Sequence, residues 1–472
     1  MGERRDDELG KMWEKSWVES KKVWHIAGPA ILTSLAQFSV NFATIAFVGH
    51  LGDLELAAVS IVQSVIEGFA FAVMLGMGSA LETLCGQAVG AGKLNMLGIY
   101  MQRSWIITCV TGLFLLPIYI FASPLLKLLH QSHPMSNLAG KYCIWVIPQL
   151  FAYAINFPLE KFFQSQSKVW VMAIISMVVF AIHILLGWLL VFKLGHGLVG
   201  AAIAGNVSWC LLAFTQLVYA VSGCFRDAWT GFSLSALKSL SGFVKLSFAS
   251  AIMVCLEFWY YTAMILLVGR LNNPEIAVGA ISICVNLHLW TMMIALGFNI
   301  AVSVRVSNEL GAGHPGAAKF SVMVATATSM FFAIIFCITI LSTGNHFPKL
   351  FTNKPLVVKE ISKLRYLLAS TILLNGILPV LNGVAVGAGW QFQVALISIA
   401  CYYIFGIPFG ALLAFRFNLG VQGIWSGMVA GAFLLTVILV FIILYRTNWH
   451  KEALQAEERI KRWGGPAETQ LY

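Results

Sequence analysis

Long apolar runs broken by short polar stretches set the pattern of this chain. Twelve runs are long enough to cross a hydrocarbon core, at 26–48, 56–79, 100–122, 141–162, 169–192, 198–221, 245–268, 276–300, 319–341, 364–386, 391–415 and 421–445. A helix needs about 20 apolar residues to cross a core about 30 Å thick. Several runs carry Gly or Pro inside, which membrane helices tolerate. The pattern predicts an all-α polytopic membrane protein.

Composition agrees. Of 472 residues, 59% are apolar and 11% are charged, against about 25% charged in soluble domains. The net charge of +10 lies in loops and tails, so it points to membrane orientation and not to nucleic acid. An even number of spans puts both termini on one side. About 20 of the 30 Lys and Arg fall there, which predicts cytoplasmic termini. The far-side loop 342–363 runs against this bias, with Lys349, Lys354, Lys359 and Lys363. The nine cysteines sit mostly in apolar runs without CxxC or CxxH spacing. They read as small buried residues, so no metal, cofactor or disulfide framework is expected. The charged N-terminus has no cleavable signal pattern before the first span.

The halves repeat. GWLLVFKLGHGLVG from Gly187 recurs as GALLAFRFNLGVQG from Gly410, with Lys193 matched by Arg416. GHLGDLELAAVS from Gly49 resembles GRLNNPEIAVGAIS from Gly269, and GQAVGAGK from Gly86 falls opposite SNELGAGH from Ser307. Similar offsets across six spans imply two six-helix bundles, a transporter architecture with substrate handled near mid-membrane. The expected organisation is a cytoplasmic segment 1–25, an N-lobe 26–222, a cytoplasmic linker 223–244, a C-lobe 245–446 and a cytoplasmic tail 447–472. The linker pattern FSLSALKSLSGFVKL suggests a short amphipathic helix, and the tail reads as a helix ending at Gly464 followed by a loose end.

Chemistry concentrates on one carboxylate. Glu257 falls near the middle of the seventh span, where an ionised acid costs several kcal/mol or more. Burial favours the neutral acid, so such a group can take and release a proton. Tyr260 and Tyr261, three and four residues on, share its helix face. The alternative is a structural Glu paired to a neighbouring helix. Asn375 and Asn382 share a face of the tenth span around Pro379, which predicts a bend with an exposed carbonyl beside two amides. Two readings stay open, contact with substrate or proton network and helix–helix glue. Asn286 is a candidate pocket amide, whereas His183 and His288 read as hydrogen-bonded packing residues. Gln37 and Asn41 suggest a polar strip on the first span. Glu67 and Glu82 in the second span are secondary candidates, and Glu82, near the interface, can reach water or a lysine. Arg305 and Glu309 are spaced to pair as a cytoplasmic clasp. Aromatics near Glu257, including Phe258, Trp259 and Trp290, suit large flat organic compounds, although most should face lipid or neighbouring helices.

The stretches GHLGDLELAAVS (49–60), GSALETLCGQAVGAGK (78–93), YMQRSW (100–105), CLEFWYYTAMILLVG (255–269), VSVRVSNELGAGHPGAAK (302–319) and VLNGVAVGAGWQ (380–391) resemble the multidrug and toxic compound extrusion (MATE) family in its plant-type form. The resemblance implies cation-coupled efflux of organic compounds, usually proton-coupled, and two six-helix lobes opening as a V-shaped cleft. It carries the seventh-helix acid of the family onto Glu257. The tenth-helix carboxylate of many plant members falls on Asn375, which does not titrate, and the first-helix Asp of bacterial members has no acidic counterpart in NFATIAFVGH (41–50). Both departures load coupling onto Glu257. VAVGAGWQ is closest to members associated with vacuolar loading of flavonoid-type compounds.

The resulting expectation is a monomeric proton-coupled antiporter in the lipid bilayer that exports flavonoid-type compounds, alkaloids or xenobiotics from the cytoplasm. The vacuolar membrane is favoured and the plasma membrane is the alternative. Glu257 would be the proton carrier, with Tyr260, Asn286, Asn375 and Asn382 around it. The rivals are a major-facilitator permease, a passive channel and an intramembrane enzyme. The sequence lacks the permease's Gly- and Arg-rich loop, a repeated pore motif and a catalytic constellation.

Overall fold

The computed structural model describes residues 2–463, apart from 239, 272–273, 345 and 352–354. Those residues are almost entirely helical: α1 (Gly2–Gly49), α2 (Asp53–Gly90), α3 (Asn95–Ile120), α4 (Ala122–Leu128), α5 (His133–Trp145), α6 (Ile147–Ser165), α7 (Val169–Lys193), α8 (Gly197–Val221), α9 (Leu240–Val268), α10 (Pro274–Gly311), α11 (Pro315–Thr343), α12 (Pro355–Ala388), α13 (Gln391–Arg416), α14 (Gly420–Arg446) and α15 (Trp449–Trp463). Among the described residues eleven helices are long and apolar enough to cross a membrane, and the α5–α6 pair, bent by 48°, makes a twelfth span. The twelve-span, all-helical architecture expected from the sequence is the one observed.

The chain forms two compact units. One holds Leu256–Ala456 together with the chain up to Gly28, and the other holds Pro29–Cys255 with the residues from Glu457 on. Two long helices, α1 and α9, are thus divided between units. The division of α1 falls at Pro29, which lies inside the helix and lacks an N–H for the ladder.

The repeat is visible in backbone hydrogen bonds. Leu194 and His196 donate to the carbonyls of Leu189 and Leu190, and their counterparts Phe417 and Leu419 donate to Leu412 and Leu413. Gly197 and Gly420 then open α8 and α14 with φ of 55° and 54°, a region where glycine carries no Cβ penalty. Lys93 bonds back to Ala88 as His314 does to Glu309, and Lys168 to Phe163 as Trp390 does to Ala385. Several helix ends therefore close alike in the two halves.

Helix association in lipid rests on packing and interhelical hydrogen bonds, because lipid tails are as apolar as leucine. In the Pro29–Cys255 unit the packing centres on Tyr153, Phe157 and Trp209, with Tyr153 edge-on to Trp209 at 4.6 Å. In the other unit Trp24 packs edge-on against Phe298 at 5.3 Å. Arg305 and Glu309 form the expected pair at 2.6 Å, and Glu19 of α1 adds a second carboxylate at 2.8 Å.

The ladder of α12 is interrupted at Gly376–Ile377, just before Pro379. The Asn375 end of α12 closes through bonds from Gly376 and Ile377 to Leu373 and Leu374, and a new ladder starts with Leu381 donating to Ile377. The amide of Asn299 donates to the Pro379 carbonyl at 2.6 Å.

One local expectation changes. The linker contains a 3₁₀ turn at Leu234–Leu237 in place of an amphipathic helix, because Ser233 caps that turn and α9 already begins at Leu240. The polar N-terminal stretch continues helically into the first span, held by Glu19. The tail helix runs to Trp463, while Lys354, the end expected at Gly464 and the loose end after it lie outside the described residues.

Candidate functional site

Glu257 sits half-buried in the middle of α9. The side-chain amide of Asn382, just past the break in α12, donates to its Oε2 at 3.3 Å. A carboxylate at this depth is costly unless paired or protonated. An amide partner brings no positive charge, which leaves protonation as the cheap way to lose the charge.

A second polar line lies in the same unit. Tyr261 Oη stands 3.0 Å from His288 Nε2, and Asn375 Nδ2 stands 2.8 Å from Nε2 and 2.9 Å from Nδ1 of the same ring. Asn375 and Asn382 therefore take different partners, although the helical period puts them on one face. His288, read from the sequence as a hydrogen-bonded packing residue, bonds to both Tyr261 and Asn375.

Tyr260 takes a structural place. Its hydroxyl donates to the carbonyls of Gly427 and Met428 at 3.3 and 3.2 Å, and its ring stacks on Tyr402 at 4.2 Å. Asn286 is exposed and donates to the Ser282 carbonyl of its own helix. Phe258, Trp259 and Trp290 are exposed on the unit's surface.

Gln37 and Asn41 belong to the other unit. Asn41 is half-buried, while Gln37 reaches a carboxylate that sequence reasoning missed. Glu160 of α6 is buried and accepts on Oε1 from the amides of Gln37 and, at 2.8 Å, Asn156. The neighbouring Lys161 points elsewhere, to Glu82 Oε2 at 2.6 Å and Gln164 at 3.1 Å. Glu82 thus has a buried lysine partner. In LEKFF, Glu160 looks self-neutralised by Lys161, which hid it. Glu67 is buried at the end of a π-helical turn, Val62–Glu67, with Oε1 unpartnered among the described residues and Tyr119, Tyr142 and Tyr153 around it. His183 bridges Thr44 at 3.1 Å and Ser208 at 2.9 Å.

The MatE family model matches residues 29–189 and 249–412, more than half the chain. Protein DETOXIFICATION 33 of Arabidopsis thaliana is 57% identical over 97% of this chain and 95% of its own length. Protein DETOXIFICATION 29 of the same plant is 54% identical over 95% and 89%. The crystal structure of the eukaryotic MATE transporter AtDTX14 superposes with a TM-score of 0.90 at 34% identity, covering 94% of this chain and 99% of that one. The Vibrio cholerae MATE transporter VcmN, in its bent form, shares the fold at a TM-score of 0.79 and 19% identity, over 94% of this chain and 99% of its own. The chain, with its twelve spans and internal repeat, belongs to the MATE family of membrane transporters.

Proposed function

We propose that this transporter is a proton-coupled antiporter that exports organic solutes from the cytoplasm into the vacuole or out of the cell, with both termini cytoplasmic. The relatives carry detoxification in their names, which supports efflux of toxic or foreign organic compounds. The observation that carries proton coupling is Glu257, an acid at mid-span with an amide, Asn382, for a partner.

The cycle follows from that pairing. Facing the acidic side, Glu257 takes a proton, loses its charge and releases a cationic or polar substrate. Facing the cytoplasm, it gives up the proton and the carboxylate favours substrate binding. Such exchange runs only if the two conformations hold the proton with different affinity, and by linkage the substrate then feels the same difference. Asn382 donates to the charged form, and the line Tyr261–His288–Asn375 supplies further polar groups in the same unit.

The test is a proteoliposome efflux screen with an imposed pH gradient and a panel of flavonoid glycosides and alkaloids. Transport that rises with the gradient and stops when an ionophore collapses it supports the reading. Flux that follows only the substrate's own gradient contradicts it.

A further inference from the structure

The acid–amide pair at Glu257 recurs in the other unit with the two side chains exchanged. The displacement that carries Val48 onto Val268 also carries Gln37 onto Glu257, and the displacement that carries Phe163 onto Ala385 carries Glu160 onto Asn382. Both displacements are set by matching backbone hydrogen bonds at the helix ends. In one unit the acid stands on the long first helix of the repeat (α9) and the amide on α12, past the break in its ladder. In the other the amide stands on α1 and the acid on α6, and the side chains still bond: Gln37 to Glu160 as Asn382 to Glu257.

Glu160 has the surroundings of a titrating group and lacks those of a structural ion. It is 6% exposed. Among the described residues the charged group that acts on it is Lys161, next in the chain, whose ammonium is held at 2.6 Å by Glu82 of α2. The other side chains bonded to it, Gln37 and Asn156, are neutral amides. A buried carboxylate whose nearest cation is already taken sheds its charge most cheaply by binding a proton. A cavity of about 10 Å³ lies beside Gln37, lined also by Ser176 and Ser208, about the volume that admits one water. Ser176 is 3% exposed and its hydroxyl has no partner among the described residues, while Ser208 leads to His183 and Thr44. Polar groups therefore continue from Gln37 through Ser176 and Ser208 to His183 and Thr44.

We propose that Glu160 is a second proton-binding site, held by Gln37 and Asn156 in the Pro29–Cys255 unit, so that each half of the repeat carries one proton-binding acid–amide pair. This rests on the proton-antiport reading above, and it assigns a proton to the half that has no acid on its first span.

The test is infrared difference spectroscopy of the purified full chain between acidic and alkaline buffer, which reports the carbonyl stretch of each protonated carboxyl without a transported substrate. Glu160→Gln keeps an acceptor for both amides and should fold. Subtracting its spectrum from that of the unaltered protein should leave one protonated-carboxyl band, and Glu160→Asp should restore a band at a shifted position. The Glu257→Gln spectrum should lose a different band. If Glu160→Gln loses no band while Glu257→Gln loses one, Glu160 does not titrate and the proposal falls with the antiport reading intact. If Glu160→Gln loses its band and Glu257→Gln loses none, the second site stands and the role given to Glu257 falls.

Discussion

The amide of Asn382 donates to a carboxylate oxygen of Glu257 at 3.3 Å, joining the acid of α9 to the helical segment of α12 that starts again at Leu378 with Pro379 in its first turn. The break in α12 and the acid in α9 therefore belong to one arrangement. Any change that shifts the second half of α12 changes what Glu257 meets.

Gly383 tests this link. A Cβ there would fall on the backbone carbonyl of Asn299 in α10, and one at Gly387 would lie 2.7 Å from the Ser303 carbonyl. Gly383→Ala should lower stability by about 1–3 kcal/mol, the usual cost of overpacking, and should lower transport because Asn382 is its neighbour. Gly279→Ala, where a Cβ meets open space, is the control: it should leave transport unchanged and cost no stability, because alanine is the better helix former. Thermal unfolding in detergent and liposome flux measure the two effects.

Asn375→Asp places a titratable group against His288, where the Asn375 amide nitrogen stands 2.8 Å from the ring. Transport should persist, and the transport–pH curve should gain an inflection that the unaltered protein lacks. Superimposable curves from a well-folded variant would mean that the Tyr261–His288–Asn375 line lies off the proton path.

Lys161→Met should destabilise the fold by about 3–5 kcal/mol, because it leaves the Glu82 carboxylate buried without its cation. Adding Glu82→Leu should recover most of the loss, since replacing both members of a buried pair by apolar groups is often neutral or stabilising. Unfolding midpoints of the two single variants and the double variant decide this. A double variant no better than Lys161→Met would show that the pair does not act as a unit.

Much of the fold was legible because membrane helices announce themselves by length and because the repeat keeps glycine at the same helix ends, Gly197 and Gly420 among them. Glu257 was legible as an acid with no charged neighbour in a long apolar run. What surrounds it was less so. Tyr260 and Tyr261 are equivalent by helical period. Only the packing of Tyr402 and the carbonyls of α14 sends the Tyr260 hydroxyl one way while Tyr261 meets His288. Glu160 was hidden by Lys161 beside it, and the lysine's true partner, Glu82, is far off in sequence. Comparing the repeats residue by residue, which sets Glu160 against Asn382, is the signal that would have found it.

The most direct test of the central claim is uptake into acidified vesicles by Glu257→Gln, with protein amount checked and with a compound that the panel identifies as transported. The variant mimics the protonated acid and removes a costly charge, so it should fold and insert. The account predicts that its uptake no longer rises with the pH gradient. Uptake by Glu257→Gln that still scales with the gradient would contradict it and move coupling to Glu160, Glu67 or Glu82.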